Sequence, residues 1–364
     1  MKYGIMTYYG VHNHGALLQL NGMVKVLKKN FNIEAHALQF DRNYDYIDRE
    51  LRNKFVLSLK SVGVYCKYLK KNGLSVFMFN VKKKGLFEDF KKRENLVGDF
   101  YSDSEQLDGI VVGSDEVFSL EIGITPVLFG HSLPSNKVFA YAGCFGSTTQ
   151  EDVKRKHCEA IVASGLNSMA GLAMRDQNSI DIAKELTGRD SVKVVDPVIL
   201  YGYKDELAGF TRPTNMPEKY LLVYAYENRF NDQEEAKAVL DYAHSHSMKV
   251  VCPGFCHKWA DINVNVDPVE LLRYFKYADC VITDTFHGAV MSIITGREIG
   301  VKIRDNKNKL FNLLKEYGLA ERVIGEDWNI ESVFSKKLDC DFVVSEVERR
   351  RAESMAYLKK MVEL

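Results

Sequence analysis

Four short loops hold the residue types that could do chemistry. The first is Asn13-His14-Gly15, ahead of Ala16. Glycine there allows close backbone approach, and the helix behind it offers its N-terminus to an anion. An ordinary helix-start turn would use the same residues. The second is Gly113-Ser114-Asp115. A small, polar, acidic triplet can hold a sugar hydroxyl or orient a base, or it can cap a helix. The third is Arg175, which follows small and apolar residues. Its guanidinium suits a bidentate contact to phosphate or carboxylate, or a salt bridge to a nearby acid. The fourth is Asp284-Thr285-Phe286-His287-Gly288. A histidine at a helix start, near the positive end of the helix dipole, suits proton transfer beside a bound anion. A capping or core imidazole is the plainer alternative.

Other chemistries have less support. Cys252, Cys256 and His257 lie close together in CPGFCH, but no second ligand pair follows at metal-binding spacing. Buried thiols are the expected reading over a metal site there. No phosphate-binding Walker loop, dinucleotide fingerprint, zincin motif or nucleophile elbow is present.

Such loops work only where strands and helices hold them. Short apolar runs alternate with amphipathic helical patterns, the signature of parallel βαβ units. Strands are expected at 2–6, 32–38, 108–112, 138–142, 171–174 and 192–195, then at 220–226, 249–252 and 279–283. Helices are expected at 16–29, 150–164, 179–186, 231–246, 268–277, 289–295, 309–317 and 345–364. The sequence Asp267-Pro268-Val269-Glu270 is a strong helix start. A stretch at 203–218 with two prolines and little periodicity places a boundary near 205. The expected fold is α/β: two doubly wound, Rossmann-like domains facing a cleft, at 1–205 and 206–340. A last helix follows within 341–364. In such sheets ligands bind beyond the carboxyl ends of strands, where all four loops lie.

Composition narrows the function. The 364 residues are 46% hydrophobic and 27% charged, and Lys+Arg and Asp+Glu both number 49. A net charge of zero argues against nucleic-acid binding by bulk charge. No apolar run is long enough to span a bilayer, and the first residues do not read as a signal peptide. Seven scattered cysteines suggest a reducing, cytoplasmic setting. Residues 49–94 depart from this balance, with 13 Lys/Arg against 4 Asp/Glu. They read as a solvated helical insertion or as a surface for anionic lipid.

Taken in order, the loops resemble those of the polysaccharide pyruvyl transferase family. The segments that carry the resemblance are NHGALLQ from Asn13, VVGSDEVF from Val111, YAGCFG from Tyr141, Met174-Arg175-Asp176, Val195-Asp196-Pro197 and TDTFHG from Thr283. Asp267-Pro268, Gly318-Leu319 and Arg322 also match, so the likeness spans roughly residues 3–325. It implies a fold like that of two-domain (GT-B) glycosyltransferases. It implies transfer of a pyruvyl group from phosphoenolpyruvate to two hydroxyls of a sugar, with release of phosphate and no cofactor. The acceptor is a polysaccharide or a lipid-linked precursor, which would place the enzyme at the inner face of the cytoplasmic membrane.

On that reading His287 transfers the proton, while Arg175 and the helix N-termini after Asn13 and at His287 hold anions. Asp115 or Asp284 orients the acceptor or the histidine. Asn13, His14, Gly15, Gly113, Ser114, Asp284, Thr285 and Gly288 line the substrate. Two positions depart from the family: Phe118 stands where Trp is common, and Thr285 where some branches carry an Arg that meets the donor. Lys302, Arg304, Lys307 and Lys309 are the candidates for the missing cation. A nucleotide-sugar glycosyltransferase of the same fold, or a non-catalytic member of a polysaccharide-assembly complex, are the alternatives.

Overall fold

The computed structural model describes residues 1–41, 59–121, 123–304 and 307–364. Two five-stranded parallel sheets dominate it. The first comprises β1 (Lys2–Met6), β2 (Glu34–Gln39), β3 (Val97–Phe100), β4 (Gly109–Val112) and β5 (Val138–Ala140), in the order β3-β2-β1-β4-β5. Strands β6 (Ala173–Met174) and β7 (Val192–Lys193) pair alongside it. The second comprises β8 (Tyr220–Tyr224), β9 (Lys249–Pro253), β10 (Ile262–Val264), β11 (Cys280–Thr283) and β12 (Glu298–Val301), in the equivalent order β10-β9-β8-β11-β12. The central strands are buried along their whole length, as in GIVV of β4 and CVIT of β11. Parallel strands covered on both faces have no wet side, so their sequences read as unbroken apolar runs.

In each sheet the first and fourth strands are neighbours whose chains leave in opposite directions across the sheet. That is the topological switch point, where a crevice must open. Here β1 neighbours β4, and β8 neighbours β11. The four loops that leave these strands lead to residues 7–13, 113–116, 225–229 and 284–287.

Several expected elements change on inspection. The helix expected over 150–164 is two, Gln150–Arg155 and Glu159–Ser168, separated where His157 takes φ +53. A left-handed residue cannot continue a right-handed helix. The boundary stretch contains a short helix, Lys204–Gly209, tied to α1 (His14–Phe31) by Lys25–Glu206 and Lys29–Asp205 ion pairs of 2.8 Å. Strands β3, β10 and β12 were not expected: each is short, β3 and β10 are partly exposed, and β12 is only the four residues Glu298 to Val301 with a glycine among them. The histidine loop enters its helix earlier than the sequence suggests, with α-helix starting at Phe286 rather than 289.

Two features close the halves together. Helix α1 packs on the helix Pro268–Tyr277 of the second sheet, and the long helix α2 (Leu59–Arg93) reaches across as well. Lys83 of α2 donates to the Gly254 carbonyl at 3.1 Å, and Tyr68 donates to Glu227 at 2.7 Å. Helix Cys340–Glu363 then returns to the first sheet. Tyr357 donates to the Ala140 carbonyl at 2.9 Å, and Ser354 Oγ accepts the Val195 amide at 2.9 Å. No helix among the described residues is long and apolar enough to cross a membrane.

Candidate active site

A cavity of about 250 Å³ opens where the two switch points face each other. The first half supplies Tyr8, Val11 and Asn13 from beyond β1, and Asp115 and Glu116 from beyond β4. The second supplies Tyr226 and Arg229 from beyond β8, and Asp284 to His287 from beyond β11. Arg304 and Lys309 complete the wall.

His287 sits in the first turn of the helix Phe286–Thr295, and the Thr285 hydroxyl caps that turn by accepting the Gly288 amide at 2.9 Å. The amides of Phe286 and His287 have no carbonyl to reach within the helix, so this terminus keeps its affinity for an anion. The imidazole Nε2 stands 3.5 Å from Asp196 Oδ2. That is a charge contact, too long for a strong hydrogen bond. Asp196 is buried, which works to raise its pKa, but His287, Arg175 and the Val198 amide outweigh burial and hold it well below the usual carboxylate range. Its other contacts are Arg175 Nη1 at 2.9 Å, the Val198 amide at 2.9 Å on Oδ1, and Ser114 Oγ at 3.4 Å. On its other side the His287 ring is seated over Gly15, where any Cβ would overlap it.

The opposite wall is a network of charge. Arg304 makes a two-pronged contact to Glu235, at 3.0 and 2.9 Å, and donates from Nε to Asp284 at 2.9 Å. Asp284 Oδ1 is buried and has no hydrogen-bond partner among the described residues. Burial pushes the Asp284 carboxyl up to about 6, against the pull of Arg304 and Arg229. A carboxyl raised in this way is a better proton acceptor near neutrality than an exposed aspartate. Lys309 meets Glu116 at 2.5 Å, and its charge is the main cause holding Glu116 below its ordinary pKa. Phe286 lies between two cations, with Arg175 Cζ 4.3 Å and Lys309 Nζ 5.1 Å from its ring centroid. Such contacts are worth about 0.5–2 kcal/mol each.

The residues singled out from the sequence divide into those that line the cavity and those that shape it. Asn13, Asp115, Asp284, Thr285 and His287 line it. Asn13 caps α1 by accepting the Gly15 amide and donates to Tyr226 Oη at 3.0 Å. Asp115 adopts φ +68, a conformation aspartate tolerates better than most residues.

His14 does not face the cavity. It is fully buried, its Nε2 is 3.1 Å from the Val266 carbonyl, and Phe87, Phe255 and Tyr224 surround its ring. Gly113, Gly15 and Gly288 serve packing: a Cβ would overlap the Tyr141 carbonyl, His287 and the Thr283 hydroxyl respectively. Ser114 is buried and Thr7 donates to its carbonyl at 3.1 Å.

Arg175 is the main revision. It was expected to grip an anion, but it is 6% exposed and does not line this cavity. Its two terminal nitrogens meet Asp196, Cys144 Sγ at 3.1 Å and Asp115 at 3.7 Å, while its buried Nε has no hydrogen-bond partner among the described residues. Removing it would deprive a buried carboxylate of its closest cation, a loss that costs about 3–5 kcal/mol.

Of the candidate cations, Arg304 and Lys309 reach the cavity, and Lys302 does not. Lys302 donates to the Gly325 carbonyl at 2.8 Å and stacks on Trp328. The side chain of Lys307 lies outside the described residues. Arg229 and the contact of Asp196 with His287 are not evident in the sequence. Asp196 looked like a strand stop before Pro197, and nothing local marks its distant partners. His257, the one imidazole of CPGFCH, turns inward with Nε2 3.0 Å from the Ala225 carbonyl.

Two doubly wound sheets with a charged cavity between their switch points define a protein of the two-domain glycosyltransferase (GT-B) type. Solved structures agree on the fold. A UDP-N-acetylglucosamine 2-epimerase from Rickettsia bellii is 11% identical over 98% of this chain and 95% of that one, with a TM-score of 0.52. Another UDP-N-acetylglucosamine 2-epimerase is 12% identical over 98% and 94%, with a TM-score of 0.50. The enzyme of that name from Methanocaldococcus jannaschii, in complex with UDP-GlcNAc and UDP, is 13% identical over 96% and 99%, with a TM-score of 0.48. At these identities the likeness concerns the fold alone. No curated sequence matches the chain significantly. The chain belongs to the polysaccharide pyruvyl transferase family, whose sequence profile matches residues 13–299.

Proposed function

We propose that this transferase moves a pyruvyl group from phosphoenolpyruvate to two hydroxyls of a sugar in a polysaccharide or its precursor. The observation that carries the reading is His287, set in a helix N-terminus at the cavity wall with Asp196 behind it at 3.5 Å. An enol phosphate becomes electrophilic at its central carbon only once its methylene carbon is protonated. His287 delivers that proton, and Asp196 orients the ring and offsets its charge.

The first sugar hydroxyl attacks the central carbon and gives its proton to Asp284. The second hydroxyl then displaces phosphate, closing the ketal. Of the two hydroxyl protons, one balances that placed on the new methyl group and the other leaves with phosphate. No oxidant or reductant is needed. The Phe286 and His287 amides, with Lys309 and Arg229, hold the phosphate and carboxylate of the donor. Lys309 supplies charge that Thr285 does not. Asp115 and Asn13 face the acceptor.

The test is a product assay. Phosphoenolpyruvate labelled with carbon-13 at its central carbon is incubated with the protein and a panel of glycans. The expected result is phosphate release matched by a new quaternary ketal resonance. Consumption of a nucleotide-sugar, with phosphoenolpyruvate untouched, would overturn the reading and assign a glycosyltransferase. No turnover with any donor would leave a non-catalytic role.

A further inference from the structure

The basic helix α2 carries an apolar stripe that the fold does not bury. Leu74, Met78 and Val81, at i, i+4 and i+7 spacing, are 66%, 54% and 49% exposed. Leu69, one turn before the bend at Gly73, is 38% exposed. Isolated exposed apolar residues are ordinary, but four within thirteen positions form a patch. The opposite face of the same helix is packed, with Val76, Phe87 and Phe90 buried and Lys83 bonded to Gly254. The helix is therefore held firmly, with its stripe outward.

Charge indicates what the stripe meets. From Lys67 to Lys84 the sequence has six lysines and no acidic residue. Lys83 is buried; Lys67, Lys70, Lys71, Lys82 and Lys84 are exposed, and none meets a carboxylate among the described residues. A protein partner of opposite charge would complement the lysines but need not accept the apolar stripe. A lipid surface with anionic headgroups accepts both: apolar side chains enter the headgroup–acyl boundary while lysines stay at the phosphates.

We infer that α2 is a membrane-docking helix that holds the protein on anionic lipid through Leu74, Met78 and Val81, flanked by Lys70, Lys71, Lys82 and Lys84. The helix is also coupled to the cavity rim. Tyr68 donates to Glu227, the residue after the cavity-lining Tyr226.

Vesicle co-sedimentation of the full chain tests this. Wild type should pellet with phosphatidylcholine vesicles containing about 30% phosphatidylserine, and release at high salt. Each lysine near an anionic surface is worth about fivefold in partitioning. Lys70→Glu with Lys71→Glu should therefore lower it at least about twentyfold. Leu74→Asp with Met78→Asp should abolish it, with an unchanged thermal midpoint since both residues are exposed.

Wild type remaining in the supernatant would overturn the inference. So would equal pelleting with neutral and anionic vesicles at low salt, or wild-type binding by the Leu74/Met78 variant. A wild-type dimer that the Leu74/Met78 variant converts to monomer, seen by light scattering, would assign the stripe to a second copy and overturn it too. The assay uses neither donor nor acceptor, so it stands or falls apart from the proposed reaction.

Discussion

Two of the nine histidines, His14 and His287, occupy the same local setting and end in opposite circumstances. His14 opens α1 and His287 lies in the first turn of its own helix; each helix is capped by an oxygen side chain, and each histidine precedes a glycine. Each ring also sits over a glycine from the other half of the chain: His14 over Gly254, His287 over Gly15. Yet His14 is sealed among aromatic rings, and burial and nearby Lys83 push its pKa down to about 3. His287 borders the cavity and faces Asp196. A motif therefore does not make a catalytic group. What the ring meets after the halves close decides it.

Replacing each histidine in turn should separate the two most sharply. His287→Ala should lower turnover by about 10²–10⁴, the usual weight of one acid–base group, with a smaller loss of thermal midpoint than at His14, because its ring borders the cavity. His14→Ala empties a packed aromatic site, and should cost about 3–5 kcal/mol of stability, as for other large buried rings. Turnover and melting of both variants check this; if the roles proved reversed, the assignment would fall.

Acid should reveal the same contrast. The folded state keeps His14 neutral, whereas the unfolded chain protonates it near 6.5. That contribution to stability is whole above pH 6.5 and drains away as pH falls from 6.5 towards about 3. Its ceiling is on the order of 4 kcal/mol. Denaturant titrations across this window should show a steeper acid loss in wild type than in His14→Leu. Equal slopes would remove His14 as the cause.

A smaller change should join the two sites. Gly15→Ala places a methyl group into the His287 ring. Overpacking of this kind costs about 1–3 kcal/mol. Turnover should fall by at least about tenfold as the ring moves off Asp196, and His14 packing should survive. Wild-type turnover in this variant would mean that Gly15 does not seat the histidine.

Much of this was legible in the sequence. The short apolar runs of β4, β8 and β11, bounded by turn residues, read as buried parallel strands, and the loops after them belong at a crevice. Asp267-Pro268 marked its helix start, and Asp267 does cap it by accepting the Glu270 amide. What stayed hidden was pairing across distance. Arg175 and Asp196 lie on separate loops that the pairing of β6 with β7 brings side by side, while bridges at Gly143 tie Met174 to Asp115. Short strands such as β10, with every residue half-exposed, lack the apolar run that would reveal them.

The Ser354–Val195 bond has a consequence for the order of synthesis. A chain made from its N-terminus produces Arg175, Asp196 and His287 well before Ser354 and Tyr357 exist. Until then the Val195 amide, next to the carboxylate behind the histidine, lacks the hydroxyl that fixes it. The first half can build its sheet as it emerges, but the site takes its final geometry only when a segment made more than 150 residues later closes over it.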